Sequence, residues 1–286
     1  MTRLPVINTA TTGSALALPP ATTGPIQNLP SLMRRYTHAY TNCHDFDECR
    51  RLMAEDYTLR MGDHVMKGRE DEYIPATAKQ FLQFPGLGIS VHDVVLGTER
   101  VAMHFSEYGR STLTGRQSVW GGVSLYNWNG EKLTDCRVEQ DYYARRDQSR
   151  SGIPDLMESP AFDPWTVEPQ EPDADTDQIV RDWILTGGIL DCAIGSLDNE
   201  ATALPRRPLL GERSVTILDM FTAGPRAAFH AVIRGRYAGG LGSLDNFRGK
   251  PTALYVAGLA TVVGQTVSVR AVTDRLNVER RLMHGW

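Results

Sequence analysis

The sequence predicts an α+β protein in which one small unit occurs twice in tandem. Three observations predict this. Apolar residues at helical spacing are followed by long strand-like runs, the order of helices packed on an antiparallel meander. Val101-Ala102-Met103-His104, Gly115-Arg116, Val138-Glu139-Gln140-Asp141 and Arg145-Arg146 are echoed by Ala227-Ala228-Phe229-His230, Gly249-Lys250, Ala271-Val272-Thr273-Asp274 and Arg280-Arg281. Gly115 to Asp141 spans 26 positions and Gly249 to Asp274 spans 25, a preserved interval of the kind internal duplication leaves. A length of 286 residues also favours two cores over one.

Residues 1–30, rich in Thr, Ala, Gly and Pro, read as an extended arm, with no signal-peptide pattern. The first unit is expected over 31–148. Ser31 stands where a helix N-cap would, followed by Leu32, Met33, Tyr36, Ala39, Tyr40 and Cys43 at helical spacing. A second helix is predicted from Asp45, with Glu48 as its capping-box partner. Tyr57 to Met61 reads as a strand, Gly62-Asp63 and Lys67-Gly68-Arg69 as turns, and Glu70 to Phe84 as a helix stopped by Pro85-Gly86. Strands are then expected over Ile89–Leu96, Arg100–Tyr108, Arg116–Trp128 and Leu133–Tyr143, the last two joined at Asn129-Gly130.

Residues 149–178 form the linker: from 151 to 178 there are five prolines, eight acidic residues and no Lys or Arg. The second unit, 179–286, opens with Ile179, Val180, Trp183, Ile184 and Leu185 at helical spacing. Strands follow over 215–221, 226–237, 252–263 and 266–276, with turns at Gly224-Pro225 and Gly264-Gln265. A counterpart of the 70–84 helix is missing.

Composition narrows the function. A net charge of -4 argues against nucleic-acid binding, and no apolar run is long enough for a membrane helix. The four cysteines fall at no metal or redox spacing and read as free core thiols of a cytoplasmic protein. Nucleotide, metal and nucleophile-elbow motifs are missing, so no cofactor or metal is expected.

Trp128-Asn129-Gly130-Glu131-Lys132 followed by Val138-Glu139-Gln140-Asp141-Tyr142 resembles the SnoaL-like branch of the nuclear-transport-factor-2 (NTF2-like) superfamily. The resemblance covers roughly residues 31–148 and, more faintly, 179–283. It implies two tandem cones, each with N-terminal helices on a curved antiparallel sheet whose final strand presents an acid to a pocket. Known activities in that superfamily include polyketide cyclases, epoxide hydrolases, steroid isomerases, dehydratases and binding-only members. Phe84-Pro85-Gly86-Leu87 with Val138–Tyr142 is also similar to bacterial lyases that release formaldehyde from lignin-derived diaryl compounds.

Strand alternation puts Glu139 and Asp141 on one face, where mutual repulsion and burial would create a usable acid or base. The competing reading is an edge strand paired with neighbouring arginines. His104 recurs as His230 and is a candidate proton shuttle; a satisfied structural histidine is the alternative. Arg116, Trp120 and Tyr126 share a face suited to an aromatic ligand. Tyr36 and Tyr40, one helical turn apart, are expected to roof the pocket, Tyr40 as a phenol donor. Asp63, His64 and Arg60 are candidates for its mouth. The catalytic set expected is therefore Asp141, Glu139, His104 and Tyr40, with Trp120, Arg116, Tyr126, Tyr36, Asp63, His64 and Arg60 binding substrate. The expected function is a cofactor-independent lyase acting by proton transfer on an aromatic small molecule, such as deformylation of a diaryl propanediol. A polyketide-cyclase-like isomerase, an epoxide hydrolase using Asp63, Arg60 or Arg116, and Asp141, and a non-catalytic binding or assembly module are the alternatives. The second copy, with Val272 opposite Glu139 and an aliphatic run opposite Trp120, is expected to be structural, and the protein to be a homo-oligomer.

Overall fold

The computed structural model describes residues 28–191, 195–198, 200–201 and 209–285. Positions 1–27 of the expected arm and Cys192 lie outside the described residues.

The first unit opens with α1 (Leu29–Arg35) and a π-helical turn, Tyr36–Thr41. Then come α2 (Phe46–Leu52), β1 (Met53–Met61), β2 (His64–Lys67), a second π-helical turn at Arg69–Tyr73, and α3 (Ile74–Gln83). The meander is β3 (Gly88–Leu96), β4 (Arg100–Arg110), β5 (Gln117–Trp128) and β6 (Leu133–Gln140), closed by α4 (Tyr142–Ser151). The second unit has α5 (Ala174–Leu185), α6 (Gly188–Asp191), β7 (Gly195–Leu197), β8 (Glu200–Ala201), β9 (Leu210–Ala223), β10 (Arg226–Tyr237), β11 (Pro251–Val263), β12 (Thr266–Thr273) and α7 (Arg275–His284).

The two sheets have the same strand order, β2-β1-β6-β5-β4-β3 and β8-β7-β12-β11-β10-β9. In each, the first strand runs parallel to the last (β1 with β6, β7 with β12) and the other pairings are antiparallel. Equivalent positions follow from the register. His104 pairs with Asp93 and Val123; His230 pairs with Asp219 and Ala257. The duplication is therefore structural as well as sequential.

Each sheet has two apolar faces, and they are buried differently. The concave faces pack against each unit's own helices. The convex faces pack against each other, joining Val95, Ala102, Val123 and Leu125 to Ala223, Ala228, Ala257, Leu259 and Val272. Small residues at the centre let the sheets approach closely. Reciprocal ion pairs flank this contact: Arg100 to Asp219 and Arg226 to Asp93, each 2.6 Å. Because Arg100 and Arg226, like Asp93 and Asp219, are equivalent positions, the contact is isologous, the pattern of a two-fold dimer inside one chain. Arg146 of α4 and Glu279 of α7 add a further pair across the same junction.

Several local expectations change. Asn28, not Ser31, caps α1, with Ser31 as its capping-box partner. Asp45 does cap α2, but Glu48 turns to Arg35 instead of completing a box. The predicted 70–84 helix is a π turn followed by α3. The final strands end early, at Gln140 and Thr273, because Asp141 and Asp274 bend out of extended geometry to cap α4 and α7, accepting from Ala144 and Asn277. Cys43 is exposed, whereas Cys49 and Cys136 are buried. Of the linker expected over 149–178, α4 takes the first residues and α5 those from Ala174. The stretch between is irregular apart from a 3-10 turn at Pro164–Thr166, yet tied down: Ala161 and Gln170 donate to carbonyls of Val91 and Leu96 on edge strand β3, and Trp165 enters the first core. It covers an edge that would otherwise invite pairing. No helix among the described residues is long and apolar enough to cross a membrane.

Placing a charge between the convex faces is expected to be far worse than losing one flanking ion pair. Ala228→Asp should cost about 3–5 kcal/mol in denaturant unfolding, the penalty of an uncompensated buried charge, and Arg226→Ala about 1 kcal/mol. Similar costs for the two would contradict the packing described.

Candidate active site

Strand alternation and cross-strand register fix which side chains enter the first cone. Glu107 pairs with Trp120, Phe105 with Gly122, and Gly122 with Gln140, so Phe105, Glu107, Trp120, Tyr126, Val138 and Gln140 all share the concave face. Gly122 is required there: a Cβ at this position would overlap the Phe105 ring. The strand register is unbroken at Gly121-Gly122, so the pair marks a close approach rather than a bulge.

Between this face and the helices lies a cavity of about 270 Å³. Its helical side presents Tyr36, Tyr40, Tyr73 and Phe81, its sheet side Phe105, Glu107, Tyr126 and Gln140, and Tyr142 closes one end. The π-helical turn carries Tyr36 and Tyr40, whose rings meet edge to face at 5.6 Å; Tyr36 meets Tyr126 similarly at 5.4 Å. Such widened turns recur at functional sites. The Tyr40 hydroxyl lies 3.2 Å from that of Tyr73. Burial pushes the phenols of Tyr36, Tyr40, Tyr73, Tyr126 and Tyr142 above their ordinary value, so they stay protonated donors.

Glu107 is the acid of this cavity. It is 8% exposed and accepts from Gln80 Nε2 at 2.9 Å. Burial pushes its carboxyl up to about 7, against the opposing pull of the Arg145 guanidinium and hydrogen bonds from Gln80, Trp120 and Gln140. The Arg145 guanidinium carbon lies 4.1 Å from the Tyr142 ring centroid and 5.0 Å from that of Trp120. Trp120 is fully buried behind the cavity, and its indole donates to Gln140 Oε1 at 3.1 Å.

The sequence candidates separate into two groups. Tyr36, Tyr40, Tyr126 and His64 line the cavity, and Trp120 supports it. The others point elsewhere. Glu139 and His104 alternate onto the convex face. Glu139 accepts from Gly62 N–H at 2.9 Å and meets His230 Nε2 at 2.7 Å, both partners within the sheet-to-sheet junction. Burial lowers His104 to about 3, which keeps it neutral and removes it as a shuttle near neutral pH. Asp141 is no strand residue; it caps α4 and meets Arg275 Nη2 at 2.5 Å, while burial and nearby Asp198 push its carboxyl up. Arg60 pairs with Asp135, and Arg116 donates to the carbonyls of Ser149 and Arg150. Asp63 is held by Tyr255 and Arg281. The Asp–Arg–Asp clamp considered for epoxide opening is therefore not assembled. Among the described residues no group of three or more His, Cys, Asp or Glu is placed to hold a metal ion.

Glu107 was visible in the sequence only as part of the face Val101, Met103, Phe105, Glu107. A lone carboxylate on an otherwise apolar strand face was the available signal. In the second unit, register puts Ile233 at the Glu107 position, Leu254 at Trp120 and Thr273 at Gln140. Buried Phe229, Ala231, Ile233, Leu254 and Val256 build that face among the described residues.

Residues 33–136, from within α1 into β6, match the family model described as SnoaL-like domain. No curated protein matches the chain in sequence. Solved structures resemble it over less than half its length. A candidate SnoaL-like polyketide cyclase from Jannaschia Sp. CCS1 is 19% identical, covers 43% of this chain and 91% of its own, with a TM-score of 0.39. IdmH, a candidate polyketide cyclase from Streptomyces antibioticus, is 18% identical over 44% of this chain and 100% of its own, TM-score 0.38. TsrD from Streptomyces laurentii is 18% identical over 46% and 98%, TM-score 0.38.

Glu107→Gln provides a pH signature. The folded carboxyl titrates near 7, above the roughly 4.3 of a free glutamate. The unfolded chain therefore ionises first, and this carboxyl costs stability as pH rises from about 4.3 to about 7. Glu107→Gln should stabilise the protein relative to wild type at pH 8 by up to about 3 kcal/mol more than at pH 4, read from paired urea melts. A pH-independent difference would contradict the burial argument.

Proposed function

We propose that the first unit is an enzyme that moves protons on a hydrophobic, aromatic small molecule, with Glu107 as its acid/base. The observation that carries this reading is a single carboxyl, tuned to about 7, inside a cavity walled by tyrosines. A group titrating near working pH is available in both protonation states, the condition for general acid/base catalysis. Protonated phenols facing it are suited to stabilise oxygen charge as it develops, and the enclosed aromatic surface suits a ring-bearing ligand.

The reaction class we favour is cyclase- or isomerase-like. Ionised Glu107 takes a proton from a carbon next to a carbonyl, a tyrosine hydroxyl donates a hydrogen bond to the enolate oxygen, and the carboxylic acid returns the proton to another carbon or oxygen. No bond between enzyme and substrate is needed.

The paired phenols Tyr40 and Tyr73 favour a second reading, elimination. A phenol-assisted loss of a benzylic hydroxyl as water leaves a quinone methide of the diaryl propanediol. Deprotonating the primary alcohol then expels formaldehyde, and the electrons of the broken carbon–carbon bond complete the stilbene double bond. Atoms balance as one stilbene, one formaldehyde and one water.

A turnover panel of aromatic β-diketones and diaryl propanediols, with chromatography and formaldehyde detection, separates the two. Glu107→Gln is expected to lower kcat by about 10²–10⁴-fold, the usual range for a lost proton-transfer group. The wild-type kcat/KM profile should carry a limb near pH 7. Glu139→Gln should retain turnover. Undiminished turnover in Glu107→Gln would overturn the assignment, and ligand binding with no turnover across the panel would favour a binding module.

A further inference from the structure

The cone continues into a second cavity of about 310 Å³ whose walls come from both units. Met61, Ala76, Gln80, Gln140 and Tyr142 line both spaces, so the second is a vestibule to the first. Beyond them, the first unit supplies Lys79 and Arg145, and helix α7 of the second supplies Asn277 and Arg280. The second unit, which has Ile233 at the position of Glu107, thus builds part of this opening.

The vestibule is cationic. Among the described residues Lys79, Arg145 and Arg280 make no ion pair, whereas Arg146, Arg275 and Arg281 beside them each meet a carboxylate. The one acid in the wall, Asp274, is 6% exposed. Its oxygens are taken by the backbone N–H and side-chain amide of Asn277, at 3.3 and 2.7 Å. Arg145 lies against Tyr142, which faces both cavities, so its planar donors are held at the junction between them. Lys79 and Arg280 stand exposed at the rim. Arg280 donates to Asn277 Oδ1 at 3.3 Å and Arg145 lies over aromatic rings, so these cations have polar or ring neighbours but no carboxylate in an ion pair. Beside an apolar cavity they fit a planar anion attached to an apolar body.

We infer that the vestibule binds a carboxylate carried by the ligand whose aromatic part enters the cone, and that Arg280, from the second unit, sets this preference. This rests on the cone being a ligand site, as proposed above. It gives the second unit a role in specificity as well as in support.

The test uses the full chain and a matched pair of probes, trans-stilbene-4-carboxylate and its methyl ester, titrated calorimetrically. Wild type should bind the carboxylate at least about fivefold more tightly than the ester. Arg280→Gln and Lys79→Gln should each weaken carboxylate binding by about two- to fivefold, the range of a solvent-exposed charge pair, and leave the ester unchanged. High salt should narrow the preference in the same way. Unchanged ester binding also reports that the variants are folded. Equal wild-type affinities for the two probes, or an equal loss of both in Arg280→Gln, would overturn this inference alone. Binding of neither probe to wild type would overturn the cone as an aromatic site and the inference with it.

Discussion

Everything in this molecule depends on the burial of two convex sheet faces against each other. A curved sheet with one covered face leaves the other exposed, and here each unit covers its neighbour's. The contact is small-residue and apolar at its centre, with Ala102, Ala228 and Ala257 between the sheets, and charged at its flanks. The repetition of Arg100–Asp219 as Arg226–Asp93 follows from the two-fold relation, since each position meets the other's counterpart. In a dimer joined into one chain, each unit covers the other's convex face, and the two concave faces are free to differ, Glu107 in one standing where Ile233 stands in the other.

That junction also decides where chemistry can happen. Side chains alternate along a strand, so each strand contributes half its residues to the junction and half to the cone. Glu139, His104 and His230 fall on the junction side, where Glu139 meets His230 and the His104 ring lies beside His92. Glu107 falls on the cone side, where burial outweighs the hydrogen bonds from Gln80, Trp120 and Gln140 and the guanidinium nearby. The same burial that makes a carboxylate costly to charge makes it useful near neutral pH.

Much of the architecture was legible from residues. The duplication stood in the spacing of His, Gly and Asp, the meander in the alternation of β3 to β6, and the hairpins in Asn129-Gly130 and Gly264-Gln265. Tyr36, Tyr40, Tyr126 and Trp120 were recognisable as cone residues from helical and strand spacing. The acid was not, for a physical reason. A period of two tells which residues share a face but not which face is concave. Glu139 and Asp141 looked like a pair only if the strand ran on to Tyr143. The side chain of Asp141 instead satisfies Ala144 N–H and starts α4, a local competition between strand and cap that alternation does not reveal. The contribution of Arg280 was equally hidden, because it depends on how the two units dock.

The central claim is that Glu107 is a buried, proton-exchanging carboxyl facing the cone. Carbon-13 NMR of glutamate-labelled protein across pH 4 to 9, with Glu107→Gln to assign the signal, tests it most directly. One carboxyl resonance should titrate near 7 and vanish in the variant. If every glutamate carboxyl instead titrates below about 5.5, in the range of solvated groups, Glu107 is not the tuned acid of this cavity and the account fails.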